Sequence, residues 1–507
     1  MRRIFMAVTV AIVLSAHAAT GIGADPAPAA GLDRQHLDVR AFGAKGDGVA
    51  DDTAALQAAF DAAGNYGVVF LPYVGGFYRI TSGLSLRDRL GVRLVGQAGG
   101  RNNTGSAIRW SGDGDRSGVM LDLGGSVGCD IENIQFIGTS NYSSKDPAGR
   151  PRSGIGLYIH GGRRTATNNH VSNCAFYFLD TAIQVGDLSK NEGNNENMVF
   201  DSITVQYCGN GYSQFWPNAM NNVLNNPAIS YCDNGVRLGN ASAFTGSVNV
   251  YNWNSSQNRN DFFLANLVYR LLISGARSEG AGKFLASSPG GSPMGSSVTL
   301  ISALVHSDSG VNPMIQFQGN NFSAIGCTFG SINGTPLEFR FQAPHTAVSF
   351  IQTDFNSARV PLGIWSSTGS QSNIRFSFIG CRYFDSAGRG FRTFADRTHG
   401  TRFTGTAWTL ENTSTPNVQW SDVYSTASNA PAISNFLGGY SPAEKWEAGY
   451  PGQKITIRCT DDTATILNNA NIVLNGSKDF VCKKDANITL MFMPGVWKWH
   501  EVSRMVP

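Results

Sequence analysis

Short alternations of apolar and polar residues, broken by turn residues, recur through the middle of the chain. "VSNCAFYFLDTAIQV", "FDSITVQYCGNGYSQ", "LNNPAISYCDNGVRL" and "NIRFSFIGCRYF" share one phrase. It runs apolar-x-apolar, then a Cys, Gly, Asn or Asp turn, then apolar-x-apolar. Alternation at period two predicts strands. Leu157, Ile183, Tyr212, Val236, Phe262, Phe284, Ile315, Leu337, Leu362 and Phe391 hold the same place in successive copies. Their mean spacing is about 26 residues, inside the range that marks a repeat architecture.

Such a repeat has room for about three strands of 4–5 residues and their turns, which makes one rung of a parallel β-helix. Rungs stack ~4.8 Å apart, so each residue lies over its counterpart in the next rung. The spacing thus predicts Cys208 over Cys232 and Asn210 over Asn234. The two Cys are expected as buried ladder residues, and the two Asn as turn formers with left-handed backbone. A leucine-rich horseshoe would need L-x-x-L-x-L with an Asn, which the chain lacks. The fold class expected is all-β: a right-handed parallel β-helix over residues 38–435.

Composition agrees with that reading. Charged residues make up 15% of the 507, against the usual quarter, and there are 59 Gly. Few helices and many turns follow. The formal net charge is +3 with no basic tract, which argues against nucleic acid as partner. The eight Cys include no C-x-x-C, and no His pair has metal spacing, so no structural zinc site and no cofactor are expected.

The N-terminus, "MRRIFMAVTVAIVLSAHAAT", has two Arg, an apolar run and an A-x-A site. It reads as a signal peptide over 1–18, followed by a leader over 19–37. The run is too short to cross a bilayer, and no second span appears. A secreted or periplasmic protein is expected.

Residues 38–96 begin "DVRAFGAKGDGVADDTAALQAAFDAAGNYGVVFLP". Asp51, Asp52 and Thr53 precede an amphipathic segment with apolar residues at 55, 56, 59, 60 and 63, a helix with its start signal. Short strands follow. A helix ahead of strands closes the open end of a β-helix, whose first rung would otherwise present unpaired backbone. Asp47, Asp51 and Asp52 are read as turn and cap residues. This stretch resembles the start of the pectate-lyase-like right-handed β-helix family, which includes rhamnogalacturonase- and epimerase-like proteins and phage tailspikes. About 60 residues carry the close match, and the rungs up to about 400 fit in pattern. The resemblance implies a secreted, glycan-associated β-helix, with a homotrimer implied by its tailspike members. It does not set the reaction, since the fold carries hydrolases, lyases, epimerases and adhesins. The N-T-D, D-D, G-H-G and R-I-K motifs of polygalacturonases do not occur between 150 and 400, and the D-P-H motif of alginate epimerases is missing.

Residues 440–507 change character. The strands "KITIRC", "NIVLNG" and "ITLMFM" suggest a small C-terminal β-domain, which Cys459 and Cys482 could staple. Its expected role is capping or oligomerisation.

The outward side chains of a solenoid form a groove suited to a linear polymer, and a polysaccharide is the expected partner. Glycoside hydrolysis needs two carboxyls ~5–5.5 Å or ~6.5–9.5 Å apart, separations that one or two rungs supply. Asp180 and Asp233 lie three residues before their column residue, Asp261 one before and Glu279 five before. These four are the candidate acid and base. Arg277, Arg259, Tyr212, Trp216, Trp253 and Glu196 are the candidate substrate-binding residues, Glu196 from the insertion after rung 183. A lyase would instead need a cation for a uronate and a base. Arg259, Arg270 and Arg277 supply charge, and His160 or His170 a base. The residues leave a glycoside hydrolase and a polysaccharide lyase open, with a non-enzymatic glycan-binding adhesin or tailspike-like assembly protein as the alternative.

Overall fold

Backbone pairing in the computed structural model winds the chain into three parallel sheets. The structure describes residues 36–97, 105–112, 118–139, 153–186, 193–240, 242–288, 295–307, 314–331, 338–341, 347–357, 363–366, 375–379, 381–385, 394–395, 402–409, 414–416, 421–426, 431–436, 454–493, 496 and 498–507. The expected signal peptide and the expected leader up to residue 35 lie outside them; His36 and Leu37, assigned to the leader, instead belong to the first strand, His36–Asp38, which pairs with Val68–Phe70. The first sheet has 19 strands and begins with His36–Asp38 and Val68–Leu71; the second and third have 12 each, starting at Tyr78–Ile80 and Leu84–Ser85. The chain visits the three in turn, one strand of each per rung. This is the parallel β-helix that the repeat predicts.

The apolar column is present, with one correction. Leu121, Leu157, Ile183, Tyr212, Val236 and Phe262 pair in sequence and continue through Leu285, Ile315, Phe339, Ile364 and Phe394. Phe284 is therefore one residue early. It shares the preceding position with Asp261, and both positions point inward where the strand bends, so apolarity alone does not tell them apart. Leu337, Leu362 and Phe391 lie outside the described residues.

The corners explain the repeated phrase. Between the first and second sheets a single residue turns the chain with positive φ: Asn133, Asn173, Ser202, Asn226 and Asn252 at 50–61°. Asn and Gly tolerate this backbone, so the sequence is Asn-rich there. Between the second and third sheets the left-handed residues are Phe178, Tyr207, Tyr231 and Gln257, at 54–60°. Asn210 and Asn234 are thus not the turn formers. They start strands and build a side-chain ladder: Asn234 Nδ2 donates to Asn210 Oδ1 at 2.9 Å, and Asn260 Nδ2 to Asn234 Oδ1 at 2.9 Å. Cys208 and Cys232 are buried ladder residues as expected.

The helix Thr53–Ala63 buries Leu56, Ala59, Phe60 and Ala63 at the N-terminal end of the solenoid. Asp52 sits at its N-cap position, but its carboxylate accepts from the Lys45 and Gly46 amides (2.7 and 3.0 Å) and so closes the preceding loop. At the other end Lys454–Arg458 pairs parallel with Ser421–Ser425 and antiparallel with Asn487–Met493. A second apolar cluster, from Tyr424 to Trp499, forms there around the Cys459–Cys482 disulfide.

The interior is not wholly apolar. Asp261 is fully buried and accepts from Asn258 Nδ2 (2.9 Å), Ser255 Oγ (2.8 Å) and Ser278 Oγ. Burial raises its carboxyl above the ordinary value, and these donors oppose the rise only in part.

Two outcomes follow. A carboxyl whose folded pKa is raised contributes stability below its unfolded pKa and loses it as pH rises through the folded value. Thermal melts should therefore show wild type losing stability over that interval and Asp261→Asn keeping it; a variant less stable than wild type at neutral pH contradicts the assignment. The six cysteines outside the disulfide are all buried, with Cys174 pushed up to about 12 by burial. A thiol reagent should find none in the native chain and all six after denaturation without reductant; rapid native labelling of Cys208 or Cys232 would contradict the ladder.

Candidate functional site

Alternation along the third sheet places Leu121 and Leu157 inward, so Asp122 and Tyr158, register partners on adjacent rungs, share the outer face. Two residues on, His160 lies back across Gly124. A Cβ at Gly124 would sit 2.5 Å from His160 Cε1, so glycine is required for the ring to lie there. His160 Nε2 is 3.1 Å from Asp122 Oδ1, and its Nδ1 faces the Gly161 carbonyl oxygen. Both ring nitrogens meet oxygens, which fixes the ring. His160 is fully buried, and its centroid is 4.4 Å from that of Tyr158.

Asp122 Oδ1 also accepts from the Gly124 amide at 2.8 Å, and its Oδ2 is 3.9 Å from Arg87 Nη1. Burial works to raise the Asp122 carboxyl. The donors from His160 and Gly124, with the Arg87 charge, outweigh it and leave the pKa below the ordinary 3.8. At neutral pH this is a carboxylate, the form that can accept a proton, and its lowered pKa makes it a weaker base than a free carboxylate.

Asp122 and Arg87 line an open cleft of about 550 Å³ with Thr81, Ser82, Ser85 and Trp110. Cβ atoms at Gly112 and Gly118 would lie 2.9 and 2.5 Å from the Trp110 ring, so the indole is held between two glycines. Its Nε1–H is buried and has no partner among the described residues. The cleft therefore offers a cation and an ionised carboxylate side by side, with hydroxyls from Thr81, Ser82 and Ser85.

The residues singled out by sequence are scattered, and for geometric reasons. Tyr212, Trp253 and Asp261 are at most 1% exposed and belong to the interior. The Tyr212 hydroxyl donates to Gln214 Oε1 at 2.7 Å, and burial pushes its pKa up. None of the three can touch a polymer on the surface, which corrects their proposed roles. Asp180, Asp233 and Arg259 do share an outer column at the start of the third sheet, since Thr181, Asn210, Asn234 and Asn260 pair in succession. Asp180 and Asp233 are two rungs apart, about 9.6 Å along the axis; Arg259 is the rung beyond. Glu279 is on the second sheet, exposed and ion-paired with Arg277 at 2.5 Å. Offsets of three and five from the column therefore fall on different sides of a corner. Glu196 pairs with Thr167 in a separate two-stranded sheet. Trp216 is half-buried against the core and donates to the Gly193 carbonyl at 2.9 Å. His170 is on the first sheet, 3.9 Å from Asp130.

Sequence reasoning missed Asp122, Arg87 and Trp110. The apolar series began at Leu157; extended one rung back to Leu121, it would have put Asp122 on the outer face.

Residues 37–114 match the family model described as rhamnogalacturonase A/epimerase, pectate lyase-like. A non-secreted LysM effector of Penicillium expansum is 48% identical over 65 residues, 13% of this chain and 5% of that protein. Mannuronan C5-epimerase AlgE2 of Azotobacter vinelandii is 40% identical over 90 residues, 16% of this chain and 9% of that protein. The chain thus spans under a tenth of each of these relatives. Among solved structures, the A-module of Azotobacter vinelandii mannuronan C-5 epimerase AlgE4 aligns at 15% identity and TM-score 0.42, covering 72% of this chain and 100% of that one. An N-terminal fragment of bacteriophage Phi29 gene product 12 aligns at 15% and 0.45, covering 79% and 80%. The strand pairing makes the chain a parallel β-helix protein, and its residues 37–114 carry the similarity to the rhamnogalacturonase A/epimerase, pectate lyase-like family.

Proposed function

We propose that this protein modifies an acidic polysaccharide at the Arg87–Asp122 cleft, by removing the proton beside a uronate carboxylate. The observation that carries the reading is Asp122: a carboxylate kept ionised by His160 and Gly124, next to Arg87, in an open cleft on a solenoid face. Arg87 would pair with the uronate carboxylate and stabilise the charge that spreads onto it when the neighbouring C–H bond breaks. Asp122 would take that proton. The electron pair then either expels the glycosidic oxygen, which takes a proton from solvent water in the open cleft, or accepts a proton from water on the opposite ring face. The first outcome is elimination and the second epimerisation. The mannuronan epimerase names among the relatives agree with this substrate class. His160, being buried, orients Asp122 and does not itself reach the sugar.

A second reading rests on the Asp180–Asp233 column. A separation of about two rungs lies at the upper edge of the ~6.5–9.5 Å used for inverting hydrolysis, with Arg259 alongside. Glu279 would join that site only from the far side of the corner. Export and homotrimer assembly belong to the proposal as well, resting on the N-terminal pattern and the tailspike resemblance.

Acidic polysaccharides incubated with the protein should gain unsaturated-uronate absorbance, or change epimer ratio by NMR. Asp122→Asn should lower that turnover by ~100-fold or more, the usual scale for losing a general base, while the chain still melts cooperatively, at a lower temperature because the stabilised carboxylate is gone. Full turnover in Asp122→Asn with loss in Asp233→Asn would move the site to the corner, with reducing ends as product. Binding without turnover would favour the adhesin reading.

The pH profile gives a separate check. Asp122 acts only when ionised, so activity should persist below the ordinary carboxylate range and fall as pH drops through its lowered pKa. Gly124→Ala pushes the His160 ring off Asp122 and should move that acid limb upward. An unmoved limb would show that His160 does not set the base.

A further inference from the structure

The outer column that holds Asp122 continues along the third sheet. In register it runs Asp122, Tyr158, Gln184, Ser213, Arg237 and Phe263, one residue per rung. Alternation keeps it outward. Tyr212 and Gln214, on either side of Ser213, bond to each other in the interior, and Val236 and Leu238, on either side of Arg237, belong to the core. Arg237 is thus four rungs from Asp122, about 19 Å along the axis.

Two polar groups of this column lack partners. Ser213 is fully buried although it belongs to the outer face, and its Oγ has no hydrogen bond among the described residues. On the next rung Arg237 is half-buried, and its Nε is shut off from solvent without a partner. Its guanidinium has no ion pair or hydrogen bond among the described residues; the Phe215 ring, with its centroid 5.6 Å from Cζ, lies against it. Burial lowers the Arg237 pKa, and no neighbouring charge opposes the shift. An aromatic face recovers only part of what a desolvated cation loses. Buried charges are normally paired and buried hydroxyls normally bonded. Two such orphans on adjacent rungs, ~4.8 Å apart, make a place for one anion.

We infer that Arg237 and Ser213 form a distal subsite for a carboxylate of the same polymer chain that enters the Asp122 cleft. The Arg237 fork takes the carboxylate, and the Ser213 hydroxyl donates to it. No hydrogen bond among the described residues holds the long Arg237 side chain, so it can shift to let the carboxylate reach Ser213. Arg87 and Arg237 then grip one polymer at two carboxylates, at the two ends of the column. That the anion is a uronate in line with Asp122 rests on the function proposed above; the anion site itself rests on Arg237 and Ser213.

The test is calorimetric titration of the full chain in the Asp122→Asn background, which keeps the probes intact. The probes are disaccharides and hexasaccharides of galacturonate and of mannuronate, with maltohexaose as the neutral control. At least one hexauronate should bind, more tightly than maltohexaose and than its own disaccharide. Arg237→Gln should weaken the hexauronate ~10-fold or more, the scale of a hydrogen bond to a charged group, and shrink its advantage over the disaccharide. Ser213→Ala should weaken it ~3-fold or more, the scale of a neutral donor, while the chain still melts cooperatively. Hexauronate binding that is absent, no tighter than maltohexaose, or unchanged in either variant overturns the inference. So does a length advantage that survives Arg237→Gln. Unchanged binding in both variants alongside turnover lost in Asp122→Asn would refute the subsite alone. Weakened binding in both, with no turnover of any uronate by the native chain, would refute the function alone.

Discussion

Parallel pairing of each rung with the next is the interaction on which everything else depends. Within the solenoid, each strand's amides and carbonyls pair with the rung before and the rung after it, except at the sheet ends. Register is therefore shared along the whole solenoid, and a residue's place in its rung sets its surroundings. Apolar residues recur at inward positions because each must cover the one before it. Asn recurs at one corner because each rung turns there on a single left-handed residue. The same rule puts Asp122 beside Tyr158, although 36 positions separate them in the chain.

Departures from the rule carry the chemistry. Glycine at 124 lets a histidine lie across the neighbouring rung onto a carboxylate. Glycines at 112 and 118 hold an indole whose N–H is unused. Three aromatic residues occupy a corner where glycine or asparagine would be relaxed. Inside, Asn258 and Asp261 replace apolar ladder positions with a hydrogen-bonded cluster, and Gln214 joins Asn222, Thr245 and Tyr212 in another. Buried polar groups of this kind must be fully paired to be tolerated. These two clusters are, whereas Gln135, Trp110, Asn195, Ser213 and Trp253 each have a buried polar atom with no partner among the described residues.

The solenoid was legible because its signal is periodic: Leu157 to Phe262 could be aligned by apolarity and turn residues alone. The alignment slipped at Phe284 because two consecutive residues face inward where the strand bends. The candidate site was less legible. Asp261, Tyr212 and Trp253 look like surface chemistry in sequence, yet their register places them in the interior. Asp180 and Asp233 were aligned correctly because both share the same offset from the column. Asp122 escaped notice because the long segment between Leu121 and Leu157 exceeds the usual repeat and hides the rung. Sequence spacing reports register only where rungs have similar length, and loops of unequal length are where a solenoid builds its sites.

The most direct test of the account is a crystal structure of the Asp122→Asn chain with an acidic oligosaccharide bound. The account predicts a sugar on the outer face of the third sheet. Its carboxylate should meet Arg87, and the carbon beside that carboxylate should face residue 122. A sugar bound at the Asp180–Asp233 corner, with the Arg87 cleft empty, would contradict it.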